Sequence, residues 1–284
     1  MSCLKMGLKT LLMLAICSII LMQARPGFCE KYLYGFGVGP SYSSGDYGTG
    51  DDVDIFYLPL VFKFYPADRV RGTIVLPWVH QSSMQVVSAG GTFNRVTEMN
   101  NIHNRKAFPH SARITNDAAN ARESESGLGD MILRGEYDLV QESSSQPAII
   151  LEAKVKLPTA SESKGLGTGE LDAGAAVEIG RTVRGNYFYG KFGYTVVGEP
   201  SGADFDNPLL YEGGIGFPVS REFYLTASLE GRTSIDDNVD NPLDAVLSGN
   251  YRLRPDLSLN GFLSLGLSDG SPDFAIGIGF LQKY

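Results

Sequence analysis

The chain has 284 residues, 34 glycines, three cysteines, 11% aromatic residues and a formal net charge of −8. That acidic balance disfavours nucleic acid as a partner, because a nucleic-acid surface needs a basic patch. Beyond Met22 there is no run of about 18 apolar residues, so no helix is expected to cross a membrane and only a closed barrel could do so.

Lys5 and Lys9 precede an apolar stretch from Leu11 to Met22, followed by Ala24, Pro26 and Gly27. This is the pattern of a secretory signal peptide over residues 1–29, too short and wrongly flanked for a spanning helix. Gly27 and Cys29 serve as the small residues before a cut at Glu30; a cut after Ala24 is the alternative. Cys3, Cys17 and Cys29 all lie in this leader, so neither a disulfide nor a thiolate metal site is expected in the mature chain. Ile16 and Phe28 stand where a lipid-anchoring site wants small residues, which argues against a lipoprotein. Loss of Lys5, Lys9 and Arg25 with the leader takes the charge from −8 to −11.

Residues 30–284 divide at their turn residues into about a dozen segments of roughly ten, each alternating apolar with polar or small residues. The expected fold is therefore all-β, a transmembrane antiparallel up-and-down barrel of about 12 strands. The first strand, Lys31 to Pro40, sets Tyr32, Tyr34, Phe36 and Val38 outward and Gly35, Gly37 and Gly39 inward, before a polar loop from Ser41 to Asp52. The second aligns Phe56, Leu58, Leu60, Phe62 and Phe64, and Tyr65-Pro66-Ala67-Asp68 turns the chain. In the third, Arg69 to Val79, the register stays open, since Ile74, Leu76 and Trp78 compete with Val75 and Val79. Pro59 and Pro77 suggest a bulge or strand end at each.

A long external loop then spans about 81–126, with His103 and His110. Its expected roles are a constriction folded into the mouth or a solvated recognition loop. Val86, Val87, Phe93 and Val96 can extend a hairpin above the membrane.

From Gly129 onward the inward positions become charged: Arg134 and Glu136, then Glu152, Lys154 and Lys156, then Glu178, Lys191, Glu212, Glu230, Arg232 and Arg252. The outward positions carry such residues as Leu133, Leu151, Val177, Phe192, Tyr211, Leu229 and Leu247. Short turns at Arg184-Gly185-Asn186, Ser220-Arg221-Glu222 and Arg254-Pro255-Asp256 alternate with longer loops around Ser161, Ser201, Asp237 and Asp269, the asymmetry of outer-membrane barrels. Asp206-Asn207-Pro208 and Asp240-Asn241-Pro242 suggest hairpins of repeated construction. In the last strand Phe274, Ile276, Ile278, Phe280 and Tyr284 share one face, and its aromatic end resembles the terminal signal of bacterial outer-membrane proteins. The expected location is the outer membrane of a Gram-negative cell, with outer-membrane lipid, lipopolysaccharide, the barrel-assembly machinery and a small-molecule solute as partners.

The inward charges can orient a polar or anionic solute along a wet path, or fill the lumen with ion pairs. His80-Gln81-Ser82 resembles the His-x-Ser of outer-membrane lipid A deacylases, though a hydrogen-bonded rim histidine is the plainer reading. Asp236, Asp237, Asn238 and Asp240 lack the spacing of a calcium loop and read as a solvated acidic loop. No metal or cofactor is expected.

Ser126-Gly127-Leu128-Gly129-Asp130 opening a strand, Lys156-Leu157-Pro158-Thr159 ending the next, and Gly165 to Gly169 before Asp172 resemble the outer-membrane family called "putative MetA-pathway of phenol degradation". The resemblance runs from Tyr32 to Tyr284 and is strongest from Ser126 to Gly198. It implies a barrel for passage of small, often aromatic or hydrophobic compounds, with no established catalytic residues. Gly127 and Gly129 then read as backbone features and Asp130 as a partner for free amides. The alternatives are a structural or surface-recognition barrel with a plugged lumen, and a lipid-modifying hydrolase using His80 and Ser82.

Overall fold

The computed structural model describes residues 32–47, 52–83, 86–89, 92–95, 124–200, 204–237 and 239–284. Residues 1–29, read from the sequence as a signal peptide, and His103 and His110 lie outside them. The strands are β1 (Tyr34–Val38), β2 (Ser41–Gly45), β3 (Val53–Ala67), β4 (Val70–Gln81), β5 (Val86–Ala89), β6 (Thr92–Arg95), β7 (Glu125–Leu128), β8 (Met131–Val140), β9 (Ala148–Leu157), β10 (Asp172–Val183), β11 (Asn186–Val196), β12 (Leu209–Pro218), β13 (Phe223–Arg232), β14 (Leu243–Arg254), β15 (Leu257–Gly266) and β16 (Phe274–Lys283). Fourteen of them form one antiparallel sheet that closes where β16 pairs with β1 and β2. Because β1 with β2, and β7 with β8, are successive pieces of one stave each, the barrel has twelve staves.

Period-two alternation makes this a barrel. Leu60, Phe62, Leu76, Trp78, Phe192, Leu229, Ile276 and Ile278 are all exposed on the outer surface, where lipid replaces water. Closure pairs each spanning stave with a neighbour on both sides, as hydrocarbon requires of backbone groups it cannot solvate, and β7 pairs with β4 alone. The aromatic terminus stitches the seam: the Tyr284 amide donates to the Tyr34 carbonyl at 2.8 Å, and the Leu33 amide donates to the Tyr284 carbonyl at 2.8 Å. The Tyr34 and Tyr284 rings stack with centroids 5.3 Å apart.

Several boundaries differ from the sequence reading. Ser41–Gly45 is no loop: it continues the first stave, pairing with both β16 and β3 in the register set by β1. The long connection is shortened at both ends, since Gln81 closes β4 and Glu125–Leu128 joins the barrel as β7. Within it β5 and β6 pair as the expected hairpin, a separate two-stranded sheet. Pro59 and Pro77 neither bend nor end their strands. They sit directly opposite each other in the β3–β4 ladder, and each faces, on its other side, the break between the two pieces of a divided stave. A proline lacks the N–H that a ladder needs, so it is tolerated where the neighbouring strand asks for none.

Trp78 pairs with Leu58 and Leu76 with Leu60, which puts Ile74, Leu76 and Trp78 outward and Val75 and Val79 inward. Among the short connections, the β10–β11 turn is Arg184-Gly185 with φ of 52° and 87°. Two successive positive φ values give the mirror-image turn that matches strand twist, and glycine adopts one at no steric cost. The two Asp-Asn-Pro segments are built alike. Asn207 Oδ1 accepts from the Val197 amide at 2.9 Å and Asn241 Oδ1 from the Ser234 amide at 2.8 Å. The following prolines accept from the Thr195 and Arg232 amides, both at 3.1 Å.

Candidate functional site

All eleven charged residues singled out in the sequence occupy inward positions of the ladders. The structure adds Arg71 and Lys63, which the open register of β4 and the run of aromatics on β3 had hidden, and keeps Asp138 inward on β8 beside Glu136. Inward tyrosines 187, 189 and 224 were also missed; their signal was a ring lying over a glycine of the neighbouring strand, as with Tyr189 directly opposite Gly214.

The ion pairs run around the wall rather than across the lumen. Arg71 binds Glu136 at 2.8 Å and clasps both oxygens of Asp138 at 2.9 and 2.8 Å, between adjacent staves. Glu152 receives Arg134 at 3.4 Å and Lys191 at 2.6 Å. The second contact passes over β10, where Gly174 and Ala176 hold only small groups beneath it. Tyr187 donates to Glu178 at 3.1 Å and Tyr189 to Glu212 at 2.5 Å. Between these walls lies a cavity of about 200 Å³ lined by Arg134, Glu152, Lys154, Lys191, Glu212 and Glu230. Arg232 stands in the field of Asp244 and Tyr47. Arg252 lies at the periplasmic rim, its guanidinium donating to the Arg221 carbonyl at 3.3 Å.

Lys156 differs from the rest. It is 1% exposed, with its ammonium 2.9 Å from Asp130 Oδ2, 3.1 Å from Asp172 Oδ2 and 2.9 Å from Thr168 Oγ1. Asp130 also accepts from the Ala160 amide at 2.9 Å, and Asp172 from the Gly198 amide at 2.9 Å. Asp130 thus does bind a free amide, as its motif implied, but it also takes one face of a buried cation. A bulge aims it there: Trp78 pairs with Leu128 and Val75 with Ile132, leaving one extra residue on the β7–β8 stave. The three motif segments, far apart in sequence, meet at this one ion cluster. It ties the 158–171 loop to the wall.

That loop packs at the extracellular end of the barrel, where Val86 of the 81–126 segment meets it. A short 3-10 turn, Glu162–Lys164, precedes Leu166, which packs with Tyr47, Val53, Ile55, Val79 and Val86 in an apolar cluster at the extracellular mouth. Gln81 Nε2 donates to the Gly165 carbonyl at 3.2 Å. Burial pushes the Tyr47 phenol up to about 12, and its hydroxyl pairs with Ser43 at 2.8 Å.

His80 points outward and stacks on Trp78 with centroids 6.4 Å apart. The Ser82 hydroxyl accepts from the Asp54 amide at 2.8 Å, and no hydrogen bond joins His80 to Ser82 among the described residues. In the acidic loop, the like charge of Asp237 beside Asp206 pushes the Asp206 carboxyl up. No metal-binding group of acids, histidines or cysteines occurs among the described residues.

Residues 43–284 match the family described as "Putative MetA-pathway of phenol degradation". Among solved structures, the COG4313 outer membrane channel from Pseudomonas putida F1 is similar at a TM-score of 0.62 and 14% identity, over 92% of this chain and 100% of that one. The KdgM porin in complex with disordered oligogalacturonate is similar at a TM-score of 0.51 and 6% identity, over 88% of this chain and 99% of that one. These likenesses are likenesses of fold, and both are to barrels of the outer membrane.

Proposed function

The chain belongs to the outer-membrane barrel family described as "Putative MetA-pathway of phenol degradation", and from that premise we propose that it is a passive channel for small molecules, among them aromatic or hydrophobic ones, and not an enzyme. The observation that carries this reading is the direction of the ion pairs. Arg71, Arg134 and Lys191 find their carboxylates along the wall, so the charges that could have bridged the lumen leave internal volume unfilled. A wall of fixed charges of both signs with a wet path beside it suits solute passage. The similar Pseudomonas protein is an outer membrane channel, which agrees with this reading. For a hydrolase, the missing His80–Ser82 hydrogen bond removes the one nucleophile–base pair that the sequence offered.

The test is flux through the refolded barrel in liposomes, with neutral sugars, aromatic acids and phenolic solutes of similar size, and with Lys154→Glu as comparison. A channel gives solute flux well above empty liposomes, with the preference among aromatic acids and phenols altered by the charge reversal. A folded barrel that passes nothing favours the plugged recognition barrel, for which the apolar cluster at the mouth is the supporting feature.

A further inference from the structure

The lumen has a second side. Across from the ion-paired wall, β1 and β16 present glycines inward, β14 and β15 present serine and asparagine, and a cavity of about 470 Å³ opens between them. Val61, Tyr224, Phe262 and Leu281 give it apolar walls, and Lys63 reaches into it from β3. That volume is within the range of small-molecule sites, which are mainly apolar with a few placed polar groups.

Two aromatic walls are held in place by glycine. Phe262 reaches over Gly277, and Tyr224 over Gly216, each where a Cβ would collide with the side chain. Rings fixed in this way are a ready surface for a flat apolar body, because little side-chain freedom remains to be lost on binding. Asn250 and Asn260 satisfy each other by a hydrogen bond across β14 and β15. Among the described residues that line the cavity, Lys63 alone carries a charge.

Lys63 lacks what the neighbouring inward cations have. Arg71, Arg134, Lys156 and Lys191 each hold a carboxylate. Among the described residues no carboxylate lies within ion-pair distance of Lys63, although the side chain is half-buried. The charges that act on it most are Glu136, Arg134, Lys283 and Arg71, three of the four cationic, and Glu136 is already engaged by Arg71. A partly desolvated ammonium in such surroundings favours an anion, since burying an unpaired charge is costly.

We propose that this cavity binds a small amphiphilic monoanion: a ring-sized apolar body between Phe262, Tyr224 and Leu281, with one carboxylate on Lys63. One cation balances one negative charge, and the apolar walls disfavour a sugar. The assignment deepens the channel reading and rests on it, while its test can succeed or fail separately.

The probes are benzoate, benzamide as the uncharged ring and acetate as the ringless anion, titrated by calorimetry into the folded full-length barrel in detergent. In parallel, flux of the same solutes is followed in liposomes. Benzoate is expected to bind at least tenfold more tightly than either comparison. Lys63→Met should lose at least tenfold in benzoate binding while leaving benzamide unchanged; Lys63→Arg should keep most of it, and Phe262→Ala should weaken benzoate and benzamide alike. Equal binding of benzoate and benzamide, or benzoate binding that survives Lys63→Met, overturns the proposal even in a barrel that conducts. Benzoate binding without flux of any solute leaves the subsite standing and overturns the channel.

Discussion

Lys156 shows how far one position can depart from its neighbours on the same strand. Lys154 and Lys156 both point inward from β9, yet Lys156 is buried against two carboxylates and a threonine hydroxyl. Replacing one partner of a buried ion cluster leaves the others charged and unpaired, which costs far more than the cluster itself contributes. Lys156→Met strands both Asp130 and Asp172, and the loss should be about 3–5 kcal/mol, read as a lower urea midpoint for the barrel refolded in detergent. Combining it with Asp130→Asn should recover part of that loss, because the two residues share one interaction and their effects are not additive. A loss no larger than that of an exposed lysine would mean that the cluster is solvated. The sequence showed Lys156 as an alternating inward residue and nothing more, because its partners lie on a bulge and on a different strand. The family motif carried the missing information, in that Asp130, Lys156 and Asp172 are among its letters, but a motif does not say that its letters touch.

At the scale of elements, the outward faces were legible nearly throughout, because lipid demands apolar residues at every second position and the lumen does not. Legibility failed where the lumen is itself apolar. Val53, Ile55 and Val79 face inward and are buried, so β3 and β4 carry apolar residues on both faces at the extracellular end and the period-two contrast vanishes. Their burial comes from the 158–171 loop, whose Leu166 fills the space among them. The polar character of that loop pointed to solvent, since one leucine between Ser161 and Gly169, amid serine, glycine and lysine, gives no periodicity to read. Close approach also escaped notice: a Cβ on Gly167 would stand 2.5 Å from Asp130 Oδ2, so this glycine lets the loop lie against the buried cluster. If Leu166 anchors the element, Leu166→Ala should cost about 2–5 kcal/mol of local stability by leaving a cavity. The measurement is hydrogen exchange, with faster exchange confined to amides of residues 158–171 and unchanged protection in β10 to β15. Uniform acceleration through the barrel would instead make the cluster part of the global core.

For the whole molecule, the arrangement of charge around the lumen is harder to explain by folding than by passage. Arg134 stands directly opposite Lys154, Glu212 opposite Glu230, and Glu230 opposite Asp244. Like charges in register on neighbouring strands destabilise a sheet, and interleaving signs would have removed the cost without altering the fold. Instead, at the level of the 200 Å³ cavity, Arg134, Lys154 and Lys191 form a basic arc around Glu152, and Glu212, Glu230 and Asp244 stand in register as an acidic arc, which places a transverse field over the cavity. A solute with a dipole is oriented by such a field as it passes, whereas a plugged barrel gains nothing from it. Glu230→Gln separates the two explanations. It removes the middle charge of the acidic arc, so the sheet should become more stable by about 0.2–1 kcal/mol, toward the lower end because the side chain meets the wet lumen. At the same time the reversal potential of the barrel in a planar bilayer under a salt gradient should move toward anion selectivity. Gain in stability with a shift in selectivity is the signature of a charge kept for transport at the expense of folding. A stability loss with unchanged selectivity would assign Glu230 to the packing of the wall.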